Sequence, residues 1–127
     1  MSAGFEYGVP PTDSYVGGLN STVTKYVDGV CNEMNMDVAD VMGYKRNRVF
    51  SDMRHMLMFV MRNDFHMTYQ EIGDFFLGRD HTSAQHGVKK IAGFLETPAS
   101  ITVFLGQCLQ AARDVYFSQW GRHLKSF

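Results

Sequence analysis

The sequence predicts an all-α chain of five to six helices. Apolar residues recur at i, i+3, i+4 and i+7 along most of its length, the spacing of a single helix stripe. Residues that cap helix ends stand where those runs start and stop. The length, 127 residues, suits one domain with a real core and is short for two.

Residues 1–19 show no helical period and are rich in proline and glycine, which predicts a flexible arm. Phe5, Tyr7, Tyr15 and Val16 give that arm apolar groups that could dock elsewhere. A first helix follows, with Asn20 or Ser21 as its cap and Val23, Tyr26, Val27, Val30 and Met34 as its stripe. Asp37 can cap a short second helix, DVADVM, which stops at Gly43. GYKRNR, residues 43–48, carries three bases and no apolar period, so it reads as a basic loop. Ser51 or Asp52 opens a third helix, roughly 51–63, with Met53, Met56, Leu57 and Val60 inside.

Thr68 and Glu71 fit a capping box at the start of a fourth helix, which carries Ile72, Phe75 and Phe76 and ends near Gly78 in a left-handed cap. Asp80 can then cap a fifth helix striped by Ala84, Val88, Ile91 and Leu95 and ended by Pro98. A last helix of about 20 residues begins at Ser100, with Val103, Phe104, Gln107, Leu109, Ala112, Val115, Tyr116 and Trp120 along it. The expected division is an arm at 1–19, a helical domain at 20–97, and a C-terminal helix at 98–127. That helix either packs on the domain or forms an oligomer or partner interface.

Composition narrows the function classes. With 45% hydrophobic and 20% charged residues, the chain is of the soluble globular type. No apolar run approaches the ~18 residues of a membrane span, so no membrane partner is expected. The N-terminus lacks the basic and apolar regions of a secretory signal, and a cytoplasmic location is expected. Cys31 and Cys108 form no CxxC pair and read as free thiols. Nine methionines suggest an adaptable core and no cofactor. The net charge of -1 neither favours nor excludes nucleic acid, because binding follows local charge.

The segment GRDHTSAQHGVKK, residues 78–90, is the most polar cluster. Metal binding is disfavoured because His81 and His86 are five apart, about 140° around a helix axis. Catalysis is disfavoured because Asp80 and His81 are adjacent on a helix and so point apart, and no nucleophile elbow, phosphate loop or dinucleotide motif is present, so no enzyme is expected. A solvated helix start is the plain alternative. The remaining reading takes two capped helices joined by a tight glycine turn as a helix-turn-helix. The N-terminal residues of its second helix, Asp80, His81, Thr82 and Ser83, would meet base edges in the major groove of double-stranded DNA. Lys89 and Lys90 would meet phosphates, and an arginine of KRNR could enter an adjacent minor groove.

The run from VADVM through GYKRNR and MRHMLMFVMR to TYQEIGDFFLGRDHTSAQHGVKKI resembles the C-terminal DNA-binding domain of the bacterial replication initiator DnaA. The resemblance covers roughly residues 20–97. It implies a Trp-repressor-like helix-turn-helix that binds nonamer boxes. Asp80, His81 and Thr82 match the base-contacting triplet, and Ser83 stands where threonine is usual. Arg46 matches the minor-groove arginine, with Lys45 and Arg48 beside it and Arg79 ahead of the triplet. Arg54 matches a DNA-contacting arginine, and His55 stands where glutamine is common. Thr68, Tyr69 and Gln70 match positions near the backbone, and His86 and Lys90 further DNA-facing ones. Asp52 and Met53 replace a more basic stretch, and acids equal bases in number between residues 37 and 97. The expectation is therefore weaker binding or a different preferred site. Without an AAA+ ATPase domain, the chain is expected to be a stand-alone regulator of replication or transcription, or a competitor for initiator boxes encoded by a phage or mobile element. The rival expectation is a protein-interaction or structural protein that keeps the fold and has lost DNA binding.

Overall fold

A computed structural model describes the backbone of residues 17–127 and the side chains of residues 21–127. The arm predicted at 1–19 lies almost wholly outside the described residues. Six α-helices follow in order: α1 (Gly17–Glu33), α2 (Val38–Met42), α3 (Arg48–Asn63), α4 (Tyr69–Phe75), α5 (His81–Glu96) and α6 (Val103–Trp120). One 3-10 turn, Pro98–Ser100, separates α5 from α6.

The local chemistry accounts for most boundaries. The Asp37 carboxylate accepts the Ala39 N–H at 3.0 Å and starts α2. Thr68 Oγ1 accepts from Glu71 N–H at 3.1 Å while Glu71 Oε1 accepts from Thr68 N–H at 2.8 Å, a complete capping box. Asp80 accepts from Ser83 N–H at 2.9 Å and starts α5.

Other boundaries differ from expectation. α1 starts at Gly17, so Ser21 lies exposed inside the helix and is no cap. α3 starts at Arg48 with Asn47 in the cap position, which draws Arg48 out of the basic loop. α6 starts at Val103, where Thr102 accepts from Leu105 N–H. Val103 is 81% exposed and Gln107 is exposed, while Leu105 and Cys108 point inward, so the first turns of α6 depart from the predicted stripe, whereas Leu109, Ala112, Val115, Tyr116 and Trp120 are buried as expected.

The core sits between α1, α3 and α6, with α4 and α5 packed on α3. Tyr26, Phe65, Tyr116 and Trp120 form its aromatic centre, and the Tyr26 hydroxyl donates to the Ala112 carbonyl at 3.0 Å. Met53, Met56, Leu57, Val60 and Met61 fill the space around them from α3. Cys31 and Cys108 are buried free thiols, each pushed up to about 12, mainly by burial. Asp64 ends α3, where a carboxylate opposes the helix dipole. The opposition is offset because Asp64 accepts the N–H groups of Lys125 and Ser126 at 2.8 and 2.9 Å, and the Ser126 hydroxyl. Those bonds latch the last residues to α3, and Phe127 stacks on Phe59 there.

Candidate nucleic-acid interface

α4, its turn and α5 form the helix-turn-helix. The turn is tight because Phe76 ends α4 and both Leu77 (φ 61°) and Gly78 (φ 78°) take left-handed backbone. Glycine tolerates this and leucine does so at a penalty, which the exposed Leu77 side chain does not offset by packing. Gly73 makes the return possible, since a Cβ there would overlap the Arg79 carbonyl oxygen.

The start of α5 faces the basic loop across a groove of about 680 Å³. Its walls are Tyr44, Lys45 and Arg46 on one side and Asp80, Thr82, Ser83 and His86 on the other, with Ser51, Arg54, His55 and Met58 of α3 beneath and Arg79 at the turn. Most residues singled out from the sequence therefore converge on one concave surface. Arg46 and Thr82 are exposed, and neither side chain has a hydrogen bond or ion pair among the described residues. Asp80 is held below the usual carboxylate range, chiefly by the Ser83 backbone N–H, and stays ionised at the rim. The open N–H groups of the first α5 turn and the helix dipole favour an anion at this end.

Several predicted residues lie elsewhere. Arg48 turns back to Asp52 at 3.2 Å. Asp52 is only 3% exposed, so this acid sits under the surface, ion-paired, and its charge is not presented to the groove. His81, Lys89 and Lys90 lie outside the groove walls on α5, with His81 and Lys89 exposed. Thr68 is occupied by its capping box, Gln70 donates to Asp74 at 3.1 Å, and Tyr69 lies under the Arg62 guanidinium at 4.3 Å. Lys45 pairs with Asp40 at 3.0 Å, which lowers the net positive charge of the loop.

Two arginines differ most from expectation. Arg54 is 6% exposed, and its guanidinium donates to the carbonyls of Val41, Gly43 and Lys45. Arg79 is half-buried and donates to the carbonyls of Met42, Gly43 and Phe76. In this structure both hold protein backbone, because burial leaves a guanidinium no better partners than these carbonyls.

The groove also contains residues that the sequence reading left out: Tyr44, Ser51 and Met58. Tyr44 is 66% exposed, stacks under Arg79 at 4.7 Å and donates its hydroxyl to the Leu77 carbonyl at 3.1 Å. Ser51, Arg54, His55 and Met58 fall at i, i+3, i+4 and i+7 on one face of α3, and that spacing was a signal for Ser51 and Met58.

The family model described as the bacterial dnaA protein helix-turn-helix matches residues 23–91. The chromosomal replication initiator protein DnaA of Synechococcus sp. is 34% identical over 71 residues, covering 56% of this chain and 15% of that protein. The Oenococcus oeni protein of the same name is 37% identical over 68 residues, covering 54% of this chain and 15% of the relative. The Campylobacter jejuni protein is 29% identical over 82 residues, covering 65% of this chain and 19% of the relative. The chain thus spans under a fifth of the length of these relatives. No solved structure matches. The family match extends over more than half of the chain and takes in the loop, the turn and the start of α5, so this chain belongs to the bacterial DnaA helix-turn-helix family.

Proposed function

We propose that this chain binds double-stranded DNA in a sequence-dependent way, with the start of α5 in the major groove and Arg46 in the adjacent minor groove. The observation that carries the reading is the single groove lined by Lys45, Arg46, Asp80, Thr82, Ser83 and His86. The residue chemistry suits the task. An ionised Asp80 accepts from a cytosine amine, hydroxyls of Thr82 and Ser83 bond several base edges, and the Thr82 methyl fits a thymine methyl. Arginine is favoured in a narrow minor groove, where the negative potential is strongest. The finer reading is a regulator of replication or transcription acting at initiator-type boxes, and hence nucleoid-associated.

An interaction role through α6 has less support. Tyr116 and Trp120 are buried in the core, and Phe117 stacks on His123 at 5.0 Å.

Selection from a random duplex pool tests the proposal. A defined motif should emerge, and Thr82→Ala should lower discrimination at one position by about 1–3 kcal/mol. Lys89→Ala should weaken all sequences alike and flatten the salt dependence. A pool that stays random, with no retention even at low salt, would overturn the reading.

A further inference from the structure

α2 is five residues long and ends at Met42. A helix end leaves its last carbonyls without intrahelical donors and carries partial negative charge. Here two cations supply the donors, and they come from different elements. Arg54 of α3 places Nη1 at 3.2 Å from the Val41 oxygen and 3.4 Å from the Gly43 oxygen, and Nη2 at 2.9 Å from the Lys45 oxygen. Arg79, in the helix-turn-helix turn, places Nη1 at 3.2 Å from the Met42 oxygen and 3.1 Å from the Phe76 oxygen, and Nη2 on the Gly43 oxygen. The Gly43 carbonyl thus accepts from both. Tyr44 closes the arrangement by stacking on Arg79 and reaching the Leu77 carbonyl.

We infer that Arg54 and Arg79 are positioning residues that fix the basic loop against the recognition helix. Arg46 lies one residue beyond the clasped segment, and Asp80 lies one residue beyond Arg79. The clasp therefore sets the separation between the side chain proposed for the minor groove and those proposed for the major groove. A planar fork holds these carbonyls from two nitrogens at a fixed separation, which a lysine's single ammonium nitrogen does not reproduce. Fixing this separation before binding removes an ordering penalty from association. The inference rests on the DNA-binding reading above.

The test is a double-mutant cycle on the full chain, read by fluorescence anisotropy with the duplex recovered from the random pool. Arg46→Ala should weaken binding roughly tenfold, the loss of one good contact. Arg79→Lys keeps the charge and loses the fork. It should weaken binding several-fold when Arg46 is present and less than about twofold when Arg46 is alanine, because coupled residues are non-additive. Tyr44→Phe, which deletes only the hydroxyl bond to Leu77, should follow the same pattern more weakly and keeps the test available if Arg79→Lys fails to fold. Equal losses in both backgrounds, or no loss in either, would overturn the positioning role while leaving DNA binding intact. Absence of binding by the unmutated chain would instead remove the reading on which it rests.

Discussion

His55 lies under the groove with its ring edge-on to His86, 6.0 Å between centroids. Its Nδ1 is buried and has no hydrogen-bond partner among the described residues. Burial lowers its pKa to about 4, and the charges of Lys90, His86, Arg54 and Arg79 push the same way. The folded protein therefore keeps this imidazole neutral. The unfolded chain protonates it near 6.5. Between about pH 6.5 and 4 the unfolded state binds a proton that the folded state refuses, so folding stability falls as pH falls through that window. His55→Gln should remove this part of the pH dependence, as followed by denaturant unfolding at several pH values. Parallel stability profiles for the two proteins would show that His55 is not held neutral. This residue was legible in the sequence only through its place in the family pattern. Its neutrality depends on burial and on four basic neighbours drawn from α3, α5 and the turn, which no local pattern encodes.

At the scale of the element, glycines decide how closely the helix-turn-helix packs. Gly73 on α4 faces the backbone of Arg79, and Gly87 on α5 faces Met58 and His55, where a Cβ would lie 2.7 and 2.9 Å from the nearest atoms. Gly93, further along α5, has nothing within 4 Å. Gly73→Ala should therefore destabilise the fold by about 1–3 kcal/mol, because the obstructing atom is backbone and cannot rotate away. Gly93→Ala should stabilise it by roughly 0.5–1 kcal/mol through helix propensity and a less flexible unfolded chain. Denaturant midpoints of the two variants check both signs. The elements themselves were legible because their caps are local chemistry: Asp37, Thr68 with Glu71, and Asp80 each bond backbone within three residues. The start of α3 was not legible, since Asn47 makes no side-chain cap bond and nothing in the sequence marks Arg48 as helical. The first turns of the α6 stripe were misjudged for a related reason. Apolar residues lie around most of that helix, so periodicity alone could not choose between Val103 and Leu105.

Over the whole molecule, a nearly neutral chain still leaves Arg46 exposed at the groove between the basic loop and α5. Two acids that dilute the charge in the sequence are buried in the fold and held by partners there. Asp52 is buried against Arg48, and Asp64 is enclosed by the N–H groups of Lys125 and Ser126. Composition cannot anticipate this, because it counts an acid alike whether buried or exposed. No helix among the described residues is long and apolar enough to cross a membrane. The central claim, that the groove between the basic loop and α5 receives duplex DNA, is tested most directly by amide chemical shifts. Titration of the isotope-labelled chain with the selected duplex should move Lys45, Arg46, Asp80, His81, Thr82, Ser83 and His86 most. The Phe117 face of α6 should stay unchanged. Shifts concentrated on α6, or none at DNA concentrations that saturate the anisotropy signal, would contradict it.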